Sequence, residues 1–142
     1  MTKNTLRTVF LMTLVAAIFM FVGQMLGGQG GLIIAFIMAM GMNGFSYWYS
    51  DKMVLRMYKA QEIDPSNSPE IYSMVEELTR EADLPMPKLY IIPQQQPNAF
   101  ATGRNPDNAA VAMTQGIRKV LKKNELRGVI AHELAHIKNR DI

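Results

Sequence analysis

Two histidines and a glutamate near the end of the chain have the spacing of a metal site. They lie in His132-Glu133-Leu134-Ala135-His136, an H-E-x-x-H pattern that contains the only two histidines of the 142-residue sequence. The histidines are four residues apart, so on a helix both imidazoles leave the same face. Imidazole nitrogens bind zinc at roughly 2.0–2.1 Å. The sequence therefore predicts Zn²⁺ as the cofactor and His132 and His136 as its ligands.

Glu133 is predicted to be the catalytic base of this site. On a helix it lies about 100° further round than His132, close to the metal but directed away from it. Zinc lowers the pKa of a bound water to about 7, and a nearby carboxylate can take the proton and pass it to a leaving amine. The pattern thus predicts peptide-bond hydrolysis. Zinc is favoured by the ligand types and the reaction class, and cobalt and manganese stay open as alternatives.

A third zinc ligand is missing from the pattern, because a hydrolytic zinc site has three protein ligands and a water. Asp141 lies five residues after His136, and with no glycine there to turn the chain we expect it not to reach the metal. Two roles remain open for Asp141: it is either a carboxylate that hydrogen-bonds a histidine and orients it, or simply a residue at the helix end. We expect the third ligand beyond Ile142, so that the chain is an N-terminal fragment.

The H-E-x-x-H pattern lies on a predicted amphipathic helix that ends near Asn139. Asn124 is its predicted N-cap, and Gly128 leaves room one turn before His132 for a substrate or a neighbouring backbone. Charged residues at positions 122–127 argue against a helix buried in lipid. The side opposite the histidines carries the apolar residues that should face a core: Leu126, Ile130, Leu134 and Ile137.

The residues before this helix predict an α+β domain over residues 61–142. Ser68 as N-cap and Pro69 at the first position start a helix that runs to about Leu84. A strand, Lys88–Ile92, follows, and turn residues at 103–108 then join two further strands as a hairpin. These strands span about Asn98–Thr102 and Ala109–Thr114, and a short helix follows from Gly116 to about Lys122. The prediction is a set of helices around a small β-sheet, with the H-E-x-x-H pattern on the last helix.

Residues 1–60 are predicted to form a transmembrane helical hairpin. Residues 8–50 include no charged residue and no histidine, and two spans of about 8–26 and 32–49 each suffice to cross a bilayer. Basic residues flank both ends and are absent from the glycine-rich turn, which predicts a multi-pass inner-membrane protein with a cytoplasmic N-terminus and a cytoplasmic domain. A signal peptide followed by one anchor is less favoured, because the first apolar stretch is too long.

The charge balance defines the expected partners. Residues 61–142 carry ten basic and eleven acidic residues, with no basic stripe of the kind that binds nucleic acid. The sequence has no cysteine, which excludes disulfides and a cysteine-containing zinc site. The expected partners are therefore the lipid bilayer and protein substrates, with no nucleic acid. The sequence does not define an oligomeric state.

The order of these features resembles one known family. A pair of apolar helices, the segment Pro97-Asn98-Ala99-Phe100-Ala101-Thr102-Gly103 and the H-E-x-x-H helix are similar to the HtpX-type membrane-bound zinc metalloproteases, relatives of the CAAX prenyl proteases. The resemblance implies a zincin-like cytoplasmic protease domain and endopeptidase action on misfolded or damaged membrane proteins under stress. It assigns zinc to His132 and His136 and the base to Glu133, and it places the third ligand, a glutamate, on a later helix.

The segment around Asn98 and Ala99 resembles the edge strand that lies beside the zinc in this family. An edge strand can pair with an extended substrate backbone, so Asn98 and Ala99 are candidate substrate-binding residues. In the alternative interpretation Asn98 caps a turn and Phe100 fills the core. A second function also stays open, in which the chain is a catalytically silent membrane protein that binds a partner or regulates an intact protease.

Overall fold

A computed structural model describes the backbone of residues 3–142 and the side chains from residue 6 onward. The chain divides into two compact units, Met1–Trp48 and Tyr49–Ile142. The sequence analysis divided the chain after residue 60, whereas the two compact units meet after Trp48. Residues that follow the apolar run belong to the second unit because Leu55 and Ala60 pack with residues of its sheet.

The first helix, α1 (Lys3–Met57), is apolar over most of its length. Its segment Leu6–Met57 is long and apolar enough to cross a membrane. The helix is interrupted at Gly27 and Gly28, whose backbone angles are not helical, and Gly28 has a φ of 57°, which favours glycine. The backbones of Gly23 and Gly31 lie in contact, whereas residues eight apart in a straight helix are roughly 12 Å apart. The chain therefore turns back at Gly27 and Gly28.

Four strands form one mixed sheet in the second unit. They are β1 (Gln61–Ile63), β2 (Lys88–Ile92), β3 (Ala99–Gly103) and β4 (Ala109–Thr114). The order is β1-β2-β4-β3, with β2 and β4 parallel and both outer pairs antiparallel. All six residues of β4 are buried, and β3 is an edge. The sheet confirms the predicted strands, with β3 shifted by one residue, and it adds β1, which is too short and polar to show a pattern.

Three helices complete this unit: α2 (Pro69–Ala82), α3 (Gln115–Val120) and α4 (Lys123–Asn139). A short 3₁₀ helix, Pro106–Asn108, lies in the turn of the β3–β4 hairpin. One face of the sheet packs against α2 and α4 through a shared apolar core, and the end of α1 covers the other face through Leu55. The prediction of an α+β fold with a small sheet is confirmed.

The last helix begins earlier than predicted. Asn124 was the expected N-cap, and this prediction is wrong, since α4 starts at Lys123 with Lys122 before it. The backbone N–H of Lys122 donates to the Glu125 carboxylate at 2.7 Å, which caps the first turn at this earlier position. The predicted apolar face is confirmed, because the described core contains Leu126, Ile130, Leu134 and Ile137.

Thr114 holds the edge strand β3 against the end of β4. Its side chain is buried, at 1% exposure. The Thr114 hydroxyl oxygen accepts from the backbone N–H of Asn98 at 2.9 Å and from that of Ile117 at 3.2 Å. The Asn98 carbonyl in turn accepts from the Thr114 backbone N–H at 2.9 Å. One residue thus fixes where β3 begins and also caps α3.

A pair of glycine substitutions tests this packing. A Cβ on Gly116 would collide with the backbone carbonyl of Gln95, whereas a Cβ on Gly128 would meet open space. We expect Gly116→Ala to reduce the free energy of unfolding by about 1–3 kcal/mol. Gly128→Ala, inside α4, should raise it by about 0.5–1 kcal/mol. Hydrogen exchange of the β4 amides in the detergent-solubilised chain measures both changes, and equal effects of the two substitutions would contradict the described packing around Gly116.

Candidate metal and catalytic site

The buried face of α4 determines which side chains face the edge strand. The apolar side of the helix packs into the core, and α4 contacts β3. His132 is exposed, while Glu133 and His136 are half-buried. The three residues of the H-E-x-x-H pattern thus lie at the surface of the second unit, on the side of α4 that is not packed into the core.

The two imidazoles converge on one point. Their Nε2 atoms are 3.2 Å apart, and the ring planes are nearly perpendicular, at 84°. Two nitrogen ligands of a tetrahedral zinc ion, each at roughly 2.0–2.1 Å, would be about 3.3 Å from each other. His132 and His136 therefore fit two corners of a zinc site. Among residues 3–142, no third histidine, aspartate or glutamate completes a cluster with them.

Asp141 does reach His136, although no glycine is present to turn the chain. Arg140 adopts a φ of 56° at the C-cap of α4, a left-handed conformation that non-glycine residues adopt at some cost. The Arg140 N–H donates to the Ile137 carbonyl at 3.1 Å, and the Asp141 N–H donates to the His136 carbonyl at 3.2 Å. The chain thus turns here without a glycine, and the expectation that Asp141 is not a metal ligand stays a prediction. The turn places an Asp141 carboxylate oxygen 3.0 Å from Nδ1 of His136.

This contact defines how His136 can act. A carboxylate at Nδ1 favours the tautomer that carries its proton there, which leaves a lone pair on Nε2 for a metal. The side chains of His136 and Asp141 are 41% and 43% exposed. At such exposure an ion pair adds little stability. The contact therefore favours an orienting role for Asp141 over a helix-end role, and this role stays a prediction.

Glu133 is held by the backbone of the edge strand. Its Oε2 accepts a hydrogen bond from the Ala101 N–H at 3.0 Å. In the part of the chain that the structure describes, Oε1 has no hydrogen-bond partner. The carboxylate is thus fixed at one oxygen and available at the other, a suitable arrangement for a base that must accept a proton from a water.

Along β3, residues whose backbone groups bond to β4 alternate with residues whose backbone groups point away from β4. The N–H and the carbonyl of Asn98 both hydrogen-bond to Thr114. The N–H and carbonyl of the next residue, Ala99, therefore point away from β4, as do those of Ala101. The Phe100 side chain packs against the apolar cluster around Leu55 on the other face of the sheet. The centroid of its ring is 6.0 Å from that of Tyr58. The exposed residue Asn98 is therefore tied to β4 through its backbone, while Ala99 presents a free strand edge.

Sequence reasoning missed three residues that build this site. Ala101 acts through its backbone N–H, which the residue type does not reveal. Arg140 makes a turn for which glycine is the usual signal. Thr114 could have been found, because a threonine between a strand and a helix is a common N-cap.

The domain that carries the H-E-x-x-H helix and the edge strand β3 belongs to a known family of peptidases. The sequence profile of Peptidase family M48 matches residues 65–142. The chain belongs to this family, and its relatives identify the HtpX type within it.

Three relatives carry the name Protease HtpX homolog. The protein of Salinibacter ruber is 62% identical over 139 residues, which is 98% of this chain and 50% of the relative. Those of Methylibium petroleiphilum and Desulfatibacillum aliphaticivorans are 61% and 58% identical, again over 98% of this chain, and the match covers 49% and 45% of their lengths. The chain thus spans about half the length of the curated relatives it matches.

Proposed function

We propose that the whole protein is a membrane-anchored zinc endopeptidase, with His132 and His136 as zinc ligands and Glu133 as the base. The observation that carries this proposal is the placement of the two imidazoles. Their Nε2 atoms have a separation of 3.2 Å, which suits one tetrahedral ion. A third protein ligand would come from outside these residues, and the family resemblance suggests a glutamate. The relatives have about twice the length of this chain, which leaves room for such a helix.

In this proposal Glu133, Ala101 and Asp141 have separate roles in one hydrolytic step. Zinc, when bound, would acidify a water and polarise the carbonyl of the scissile bond. Glu133 would accept the water's proton on Oε1 while Oε2 stays on the Ala101 N–H. The water oxygen would bond to the carbonyl carbon, and as the peptide C–N bond then breaks, the same carboxyl group would give that proton to the leaving nitrogen. One water is consumed, and Asp141 keeps His136 in the tautomer that can bind metal.

The substrate would add a strand to β3. The N–H and carbonyl of Ala99, and the carbonyl of Ala101, face away from β4 and could pair with an extended peptide. Pairing through main-chain atoms sets few demands on the substrate's side chains. This supports the proposal that misfolded or damaged membrane proteins, whose chains become extended, are the substrates.

The membrane arrangement proposed is a pair of spans with both flanks in the cytoplasm. A single straight helix of the length of α1 would extend far beyond a hydrocarbon core of roughly 30 Å. The turn at Gly27 and Gly28 supports two spans instead. Basic residues lie on both flanks of the apolar run and none lies in the turn, which supports the cytoplasmic placement of the H-E-x-x-H helix.

The alternative proposal is a catalytically silent membrane protein that binds a partner or regulates an intact protease. Within residues 3–142 the site has two imidazoles and no third ligand group, which supports this alternative for the chain by itself. The two proposals differ in whether Glu133 has a chemical role.

Substitution of the base separates these proposals. A chimera in which Ile142 is followed by the C-terminal half of the Salinibacter ruber relative supplies a complete length. We expect Glu133→Gln to lower its kcat on an unfolded protein by about 10²–10⁴-fold, since the substitution removes the proton acceptor. Cleavage of a casein-type unfolded substrate measures the effect. Glu125→Gln, which changes a carboxylate at the start of the same helix, is the control. Equal activity of the wild-type and Glu133→Gln chimeras would contradict the proposed peptidase.

Loss of the carboxylate beside His136 should weaken metal binding. We expect Asp141→Asn to lower the zinc affinity of the chimera by about 10–100-fold, because the charge that orients and polarises the imidazole is removed. Competition with a chromophoric chelator measures the affinity. Asp107→Asn, an exposed carboxylate in the 3₁₀ helix, is the matched control. An unchanged affinity in Asp141→Asn would show that Asp141 is only a helix-end residue.

Two proline substitutions separate the roles of the strand edge. Both Ala101 and Ala99 direct their N–H away from β4, so proline at either position removes no sheet bond. Ala101→Pro removes the donor to Glu133, and we expect kcat to fall by about 10–100-fold, as for a hydrogen bond to a charged group. Ala99→Pro should instead raise KM by weakening substrate pairing. Steady-state kinetics on the chimera measure both, and an identical change in the two variants would rule out these separate roles.

A further inference from the structure

A cavity of about 350 Å³ lies between the end of α1 and the start of β4. Its volume is within the roughly 300–1,000 Å³ of pockets that bind small molecules. Five charged side chains line it, three cations and two carboxylates: Lys52, Lys88, Arg104, Asp51 and Asp107. The cations exceed the carboxylates by one, so the cavity carries a net positive charge.

The cavity is built within the second unit, on the face of the sheet that α4 does not cover. Its residues from α1 belong to the unit that begins at Tyr49. One of them, Leu55, packs with Tyr90 and Ala110 on this face, whereas the H-E-x-x-H helix packs on the other face. The cavity is therefore separate from the candidate metal and catalytic site.

The chain reaches this cavity directly after its apolar run. Residues 8–50 contain no charged residue, and Asp51 and Lys52 are the first two that follow. The Lys52 ammonium lies 5.5 Å from the centroid of the Tyr49 ring, and aromatic residues at the end of a span lie at the level of the lipid headgroups. In the membrane arrangement proposed above, Lys52 is therefore at the level of the lipid phosphates.

The cations of the cavity are available to a ligand. The ion pairs among the described residues involve α2, α4 and the end of the chain, and they include neither Lys52 nor Lys88. Both lysines are exposed. Arg104 directly follows β3 and donates to the side-chain oxygen of Asn108 at 3.2 Å, a neutral partner. The guanidinium therefore keeps its charge for an anion in the cavity.

Tyr90 adds a neutral donor beside the apolar part of the cavity. Burial of the phenol, followed by the nearby charge of Glu62, raises the pKa of Tyr90 above its usual value. The hydroxyl thus keeps its proton at neutral pH and can donate to an anionic oxygen. Leu55 and Met86 supply apolar walls, against which the carbons of a glycerol group would pack.

We propose that this cavity binds the phosphodiester headgroup of a membrane phospholipid, with Lys52, Lys88 and Arg104 around the phosphate. A phosphodiester carries one negative charge, which equals the excess positive charge of the cavity, and Lys and Arg are common phosphate ligands. Basic pockets beside membrane spans recognise lipid headgroups in this way. The carboxylates of Asp51 and Asp107 would accept hydrogen bonds from headgroup hydroxyls, which favours phosphatidylglycerol over phosphatidylcholine. The inference rests on the proposed membrane arrangement and on neither zinc nor peptidase activity.

A bound headgroup would fix the edge strand close to the bilayer. Arg104 lies three residues after Ala101, roughly 10 Å along an extended strand, and the Ala101 N–H holds Glu133. The lipid would therefore hold the proposed substrate strand near the surface at which a segment of a membrane protein becomes accessible.

A photoreactive lipid tests the site. The whole chain is reconstituted in phosphatidylcholine nanodiscs that contain phosphatidylglycerol with a diazirine in its headgroup, and mass spectrometry locates the labelled residues. We expect label around Lys88 as well as around Lys52, because β2 lines the cavity. Lys52→Gln with Lys88→Gln should reduce the labelling of the cavity residues several-fold, whereas Lys52→Arg with Lys88→Arg keeps the charge and should retain it.

A control pair and soluble competitors show what binds. Arg118→Gln with Lys123→Gln removes two exposed cations outside the cavity and should leave the labelling unchanged. Equal losses in this pair and in the Lys52→Gln, Lys88→Gln pair would overturn the inference, because they would show a general charge effect. Inorganic phosphate and glycerophosphoglycerol should compete far less well than unlabelled phosphatidylglycerol. Equal competition would identify a soluble phosphate as the ligand and would also overturn the inference.

A second lipid separates this site from the membrane arrangement. Phosphatidylglycerol with the diazirine in an acyl chain should label the apolar spans in every variant. Label from the acyl chain with no headgroup label at the cavity would overturn the lipid site alone. Absence of label from both lipids would contradict the membrane arrangement and the lipid site together.

Discussion

The burial of one face of α4 against the sheet is the constraint on which the site depends. Four apolar side chains of this helix lie in the core, and full burial of each stabilises the fold by about 1.5–3 kcal/mol. A rotation of the helix that moved Glu133 away from β3 would expose part of this face. The polar contacts of the site are weaker, since an exposed pair such as His136 and Asp141 contributes about 0–1 kcal/mol. Core packing therefore sets the position of the chemistry.

The edge strand supplies the second half of the site through its backbone. Thr114 fixes the start of β3, and the resulting alternation turns the Ala101 N–H toward Glu133. Neither contact needs a particular side chain on β3, apart from small residues that let the helix approach. The base and the proposed substrate strand thus share one row of backbone groups, so the position of the base relative to a bound peptide is set by the geometry of the strand.

The sequence predicted those parts of the fold whose patterns are periodic. The apolar repeat of α4, the strand Lys88–Ile92 and the buried strand β4 lie where their residues indicated. The two ends of α4 were harder to predict from the sequence. The N-cap depends on a contact of Glu125, and the turn at Arg140 depends on an uncommon backbone angle. For the site, residue types and spacing indicated His132, Glu133 and His136, whose roles stay predictions. The Ala101 donor could not be predicted, because every residue except proline offers a backbone N–H.

The most direct test of the central claim is X-ray absorption at the zinc edge on the purified protein loaded with one equivalent of zinc. The structure predicts two imidazole nitrogens at roughly 2.0–2.1 Å from the metal, and both should disappear from the spectrum after His132→Ala with His136→Ala. A spectrum that shows no imidazole scattering, or one that the double substitution leaves unchanged, would contradict the assignment of these two histidines as the metal site.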